Sequence, residues 1–386
     1  MSRLISSLIF LVFFVGLVSK SNASSSFRYS HKHVAFFIFG DSFLDVGNNN
    51  YINTSAYQLA NYWPYGETYF KLFPTGRFSD GRLVSDFIAE YAKLPMIPPF
   101  LQPGSSHNYY KGVNFASAGA GALDDTFKGL VIPLKAQLRY FKSVATSFQQ
   151  NLGKFEAKLA LSRAVYLFSI GSNDYSSPSL SSYIYADYVA MVVGNTTAVV
   201  QEVYKTGARK FAFMNLPIFG CLPADRISDD SCNQEASALA ALHNQVLFQS
   251  LVKLEKQLKG FKYSLFDFYS SLSEIIDHPS EYGFKEEKVA CCGTGRLRAI
   301  DSCGGKREVK EFELCDNPND YVFWDTHHLT EKAYKQLAAQ MWSNQTKTSN
   351  SGFNLGPYNL EDLFHATYAE DSHLELPSCV TSFVSS

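Results

Sequence analysis

The chain has 386 residues, 46% of them hydrophobic and 18% charged, which suits one large globular domain or two ordinary ones. Thirty-four basic residues against thirty-six acidic ones give a formal charge of -2, with no long run of Lys and Arg, and this excludes nucleic acid as an expected partner. The 32 Phe and 23 Tyr suit an apolar pocket, but large cores use them as readily, so they carry little weight.

In chain order, Arg3 precedes an apolar stretch from Leu4 to Val18, and Ser21-Asn22-Ala23 then offers the small residues that signal peptidase needs. Residues 1–23 therefore read as a secretory signal peptide cleaved near Ala23, because the run is short for a bilayer span of about 20 residues. No other segment approaches a spanning length, so no stable membrane span is expected. Sequons at Asn53, Asn195 and Asn344 agree with a secreted chain and are candidate glycosylation sites where exposed.

The apolar run Val34–Phe39 stops at Gly40-Asp41-Ser42 and reads as a buried strand opening into a turn. In parallel α/β sheets ligands bind beyond the carboxyl ends of strands, so Ser42 stands where a nucleophile would be presented. Then follow a helix at Leu83–Tyr91, a short strand at Val113–Phe115 and strands at Ala164–Ser169, Lys210–Asn215 and Tyr263–Phe268. A long helix, Glu235–Leu258, ends near Gly260, as a C-cap glycine predicts. This alternation predicts a parallel sheet covered by helices on both faces, in one domain spanning residues 24–345. The Ser- and Asn-rich stretch Thr346–Gly352 opens a peripheral extension, residues 346–386.

Two further strand exits are polar: Val113–Phe115 leads into Ala116-Ser117-Ala118-Gly119-Ala120-Gly121, and Ala164–Ser169 into Gly171-Ser172-Asn173-Asp174. A glycine N–H and an asparagine amide are donors suited to an oxygen that becomes negative in acyl transfer. On their own, Gly119 reads as a loop glycine and Asn173 as an Asx-turn residue. Near the far end, Asp325 and His328 lie three apart in Trp324-Asp325-Thr326-His327-His328, so that a carboxylate can orient an imidazole that takes a serine proton. The bland alternative is a helix start capped by Asp325, with surface histidines. Seven cysteines (Cys221, Cys232, Cys291, Cys292, Cys303, Cys315 and Cys379) all fall in the second half. Without a Cys-x-x-Cys pair a zinc site is disfavoured, and the spacing is compatible with disulfides of open connectivity, with Cys379 as the odd thiol.

Together, Gly40-Asp41-Ser42-Phe43-Leu44-Asp45 with Gly47-Asn48-Asn49-Asn50, Asn114-Phe115-Ala116-Ser117-Ala118-Gly119, Gly171-Ser172-Asn173-Asp174 and Asp325-Thr326-His327-His328 resemble the four ordered blocks of the plant GDSL esterase/lipase family, within the SGNH hydrolase superfamily. The resemblance implies a three-layer α/β/α sandwich with a mainly parallel, flavodoxin-like sheet. It also implies a serine esterase or lipase without metal or organic cofactor, acting on a small-molecule or lipid ester. Ser42 would be the nucleophile, His328 the base and Asp325 its orienting acid, with the Ser42 N–H, Gly119 and Asn173 forming an oxyanion hole. The same likeness implies disulfides among Cys221 to Cys315, while the signal peptide leads to the expectation of secretion to the apoplast or cell wall. Ala118 and Leu329 stand where many relatives have Gly and Pro, and neither change removes a reacting group. The serine block lacks Gly-x-Ser-x-Gly, which disfavours the α/β-hydrolase elbow. An acyltransferase using the same acyl-enzyme is the nearer alternative function, and a non-catalytic secreted binding protein the remoter one.

Overall fold

A computed structural model describes residues 34–71, 73–104, 109–176, 184–343 and 353–366. The expected signal peptide, the sequon at Asn344 and Cys379 lie outside these residues. The first apolar run forms strand β1 (Phe36–Gly40), with every residue buried. It is followed by helix α1 (Val84–Tyr91), strand β2 (Gly112–Asn114), helices α2 (Leu134–Leu152) and α3 (Lys154–Arg163), and strand β3 (Val165–Ser169). Next come helix α4 (Tyr185–Lys205), β4 (Lys210–Met214), α5 (Gln234–Gln257), β5 (Lys262–Phe266) and α6 (Phe268–Asp277). A two-stranded antiparallel pair, β6 (Cys292–Gly293) with β7 (Glu313–Leu314), precedes α7 (Glu331–Ser343) and α8 (Leu360–His365).

The main sheet is parallel in every pairing, with order β2-β1-β3-β4-β5. This is the flavodoxin-like order, whose direction of winding reverses between β1 and β3 and opens a crevice there. Strand alternation divides the core. Phe36 and Ile38 join Val84, Leu272 and Leu337 on one face. On the other face Phe37 meets Phe141 of α2 at 5.4 Å between ring centroids, and Phe39 stacks on Phe168 at 4.6 Å. Helices thus cover both faces, as the alternation of elements predicts.

Most element ends differ from the sequence reading by one or two residues, and two differences have a clear physical cause. The strand expected over Tyr263–Phe268 stops at Phe266, because the Asp267 side chain accepts the Ser270 N–H at 3.3 Å and caps α6. Of the segment assigned to a peripheral extension, residues 353–366 are described, and they return to the sheet. Leu355 donates its N–H to the Leu265 carbonyl, the Phe353 carbonyl accepts from Asp267, and α8 buries Leu360, Leu363 and Phe364 in the main core. Among the described residues no helix is long and apolar enough to cross a membrane.

Candidate active site

The β1 exit is tightly built. Gln137 of α2 accepts the Gly40 N–H at 3.0 Å and donates to its carbonyl at 2.9 Å. A Cβ on Gly40 would stand 2.5 Å from the Ser169 carbonyl oxygen, so only glycine lets β1 and β3 approach here. The chain then turns, with Leu44 and Asp45 donating back to the Asp41 carbonyl, and Ser42 sits at the start of that turn.

Phe43 lines the cavity beside Ser42, and the polar residues that follow in the first block hold its wall together. Asp45 accepts the N–H groups of Gly47, Asn48 and Ala118 at 2.7 to 2.9 Å, and Asn49 donates to the Ala118 carbonyl at 2.9 Å. Asn48 bonds the carbonyls of Asn114 and Ala116. These bonds hold the loop after β2 against the Ser42 turn and set Gly119 in a left-handed conformation, φ 80°. A side chain at Gly119 would also press on Gln58 and Val131. The third block attaches to the same loop. Asp174 accepts the N–H groups of Ala122 and Leu123 and the Thr126 hydroxyl, while Asn173 donates one amide hydrogen to the Ala120 carbonyl at 3.1 Å, leaving the other unspent. Among the described residues, neither the Ser42 nor the Gly119 N–H donates to another protein group.

On the opposite side, the Trp324 N–H donates to the His328 carbonyl and closes a tight loop around Asp325. Asp325 Oδ1 accepts the N–H groups of His327 and His328 at 3.0 and 2.9 Å and faces His328 Nδ1 at 2.7 Å. A carboxylate there makes Nδ1 the protonated nitrogen and leaves Nε2 as the basic one. The His328 ring packs between Phe78 and Phe43, 4.6 and 5.7 Å between centroids. His327 is exposed and pairs with Thr326, so the carboxylate selects His328. Burial by itself would raise Asp325, yet the charge and hydrogen bond of His328, the Arg307 guanidinium and the His327 N–H outweigh it and hold this carboxyl well below the usual range.

Ser42, Gly119, Asn173 and His328 all line one cavity of about 600 Å³, whose other walls include Phe127, Leu130, Phe219 and Leu239. Ser42 is 9% exposed and His328 8%, so both open only toward this space. The structure therefore brings together five residues, Ser42, Gly119, Asn173, Asp325 and His328, that span most of the sequence. Of the candidate glycosylation sites, Asn53 is exposed on a loop, whereas Asn195 is half-buried on α4 with its amide bonded to the Met191 carbonyl. Six cysteines pair as Cys221–Cys232, Cys291–Cys315 and Cys292–Cys303. Sequence reading gave no role to Asp45, Asn48 or Asp174, which fasten the loops, or to Tyr65 and Arg307, which stand behind Asp325. Only the hydrogen-bonding capacity of the block residues hinted at the first group, and nothing local pointed to the second.

A serine at a strand exit, a carboxylate-paired imidazole and unspent N–H groups around one cavity form the layout of a serine hydrolase. Comparison with known proteins agrees: the GDSL-like lipase/acylhydrolase family matches residues 36–341. The chain is similar to GDSL esterase/lipase 5 of Arabidopsis thaliana, 53% identical over 373 residues that cover 94% of this chain and 96% of that protein. It is also similar to the GDSL lipase of Tanacetum cinerariifolium, 47% identical and covering 87% and 89% respectively. The solved lipase Lip_vut3 from a goat rumen metagenome aligns over 79% of this chain and 94% of its own, at 11% identity and a TM-score of 0.35, so the fold assignment rests on strand order instead. The chain belongs to the GDSL-like lipase/acylhydrolase family and is a carboxylic ester hydrolase.

Proposed function

We propose that the chain is a secreted serine esterase or lipase that hydrolyses carboxylic esters through an acyl-Ser42 intermediate. The observation that carries this reading is the 2.7 Å contact of His328 Nδ1 with buried Asp325, facing the same cavity as Ser42. Ser42 Oγ attacks the ester carbonyl while His328 Nε2 takes its proton. The oxyanion that forms is met by the N–H groups of Ser42 and Gly119 and by the free amide hydrogen of Asn173. The alcohol leaves with the proton from His328, and water activated by the same imidazole then releases the acid.

The apolar walls at Phe127, Leu130, Phe219 and Leu239 suit a hydrophobic acyl or alcohol portion. Secretion is supported by the leader read in residues 1–23 and by three disulfides, which persist in oxidising compartments. Ser42→Ala tests the mechanism. With an activated short-chain ester, the wild type is expected to show a burst of alcohol release and to be labelled by a fluorophosphonate. The variant, folded by circular dichroism, is expected to lose both, with kcat down at least about 10⁴-fold. Retained turnover would reject Ser42 as nucleophile. Transfer of the acyl group to an added alcohol in preference to release of free acid would reassign the enzyme to acyl transfer.

A further inference from the structure

Behind Asp325 lies a second line of buried polar groups. Its outer oxygen, Oδ2, accepts the Tyr65 hydroxyl at 2.8 Å, and that hydroxyl oxygen in turn accepts Arg307 Nη2 at 3.1 Å. The order of donors is forced. Arg307 has no lone pair to offer, so the Tyr65 proton must point at Asp325. Tyr65 and Asp325 are each 1% exposed and Arg307 2%, so the chain Arg307, Tyr65, Asp325, His328 runs through the interior with a cation at one end and the candidate base at the other. Tyr65 is held by edge-to-face contacts with Phe78, Trp324 and Tyr62. Arg307 lies between Cys303 and Cys315, whose disulfides to Cys292 and Cys291 tie its loop down, and its guanidinium also pairs with Asp301.

Resting on the serine-esterase reading above, we infer that Tyr65 and Arg307 are positioning residues of this enzyme. They anchor the far oxygen of Asp325 and draw part of its negative charge away from His328, which sets the basicity of the imidazole. Anchoring Oδ2 fixes the rotation of the carboxylate, so Oδ1 stays aimed at Nδ1. The Arg307 charge stabilises the carboxylate while His328 is neutral, and opposes the imidazolium when it forms. The groups facing this chain are few. His327 and His328 come from its own loop, Tyr62 from beside Tyr65, Tyr57 from the ring facing Arg307, Asp301 and Lys310 from beside Arg307, and Tyr334 from α7, with Asp41 and Asp80 beyond it.

The test is the pH profile of kcat/KM on an activated acetate ester for Tyr65→Phe, Arg307→Gln and Arg307→Lys in the full-length protein. Tyr65→Phe removes one oxygen and keeps the packed ring, so it is the variant that perturbs the fold least. The acid limb, which reports deprotonation of the base, is expected to move to higher pH by at least about 0.5 unit in Tyr65→Phe and Arg307→Gln, because the carboxylate charge concentrates on His328. Turnover is expected to fall between about 10- and 100-fold with KM little changed, and Arg307→Lys to recover most of the acid-limb position. An acid limb that stays in place in Tyr65→Phe while turnover still depends on Ser42 overturns this inference alone. Loss of the Ser42 dependence itself would instead overturn the reading beneath it.

Discussion

Four buried aspartates lie on the segments that carry Ser42, Asn173 and His328, and they divide by their partners. Asp325, on the His328 side, is held well below the usual carboxylate range. On the Ser42 side, burial pushes Asp41 up to about 7, and Asp45 and Asp174 to about 6. Hydrogen bonding does not set the second group apart, since Asp45 accepts three backbone N–H groups, Asp174 two and a hydroxyl, and only Asp41 is left with one. What it lacks is a positive charge. Neutral dipoles offset part of the cost of burying a carboxylate, whereas a nearby cation reverses the balance. The carboxylate that orients the base in the proposed mechanism is thus kept ionised, and those that fasten loops sit near neutrality in slightly acid conditions.

The sharpest test of this contrast compares conservative substitutions on the two sides. Asp325→Asn is expected to lower kcat by about 10⁴-fold, since an amide there no longer fixes the Nδ1–H tautomer, with substrate binding little affected. Steady-state kinetics on an activated ester measures it, and activity near wild type would remove Asp325 from the relay. Asp174→Asn is expected to act first on stability, costing about 1–3 kcal/mol, because its new NH₂ opposes one of the N–H donors from the loop after β2. Denaturant unfolding measures it, and an unchanged midpoint would show that Asp174 does not hold that loop.

The smallest effect is a slope. Asp41, Asp45 and Asp174 keep their protons to higher pH when folded than near 3.8 in the open chain, so the folded state binds more protons between about pH 4 and 7. Their contribution therefore weakens as pH rises through that window. Asp325 acts oppositely: its contribution is present above its unfolded value and is lost as pH falls below it. Among the described residues Asp41 Oδ2 has no hydrogen-bond partner, so Asp41→Asn adds a donor without an opposing N–H. This variant is expected to flatten the decline in unfolding free energy between pH 4 and 7 by roughly 3 kcal/mol, read from melts at several pH values. An unaltered slope would mean that Asp41 titrates normally.

Local signals were legible where one pattern dominated. The run ending at Gly40 declares its strand because six apolar residues stop at small polar ones, and β3 and β4 read in the same way. Helix α4 is less evident, since Val192, Val193, Gly194, Thr196 and Thr197 are poor helix formers held by packing of its buried face. Asp325 and His328 were readable because their partnership spans three residues. The further partners Tyr65 and Arg307 were not, because they lie 260 and 18 residues from Asp325, and only the folded chain gives them a shared interior.

By itself, the sequence determined the candidate side chains that the fold gathers and that a parallel sheet presents them, because residue type and hydrophobic period are local properties. Tertiary structure alone decided which carboxylates meet a cation, which backbone donors remain unspent, and how three disulfides and the returning 353–366 segment close the molecule. Those outcomes depend on distances between segments far apart in the chain, and solvent exclusion sets their electrostatic strength only once the segments have packed.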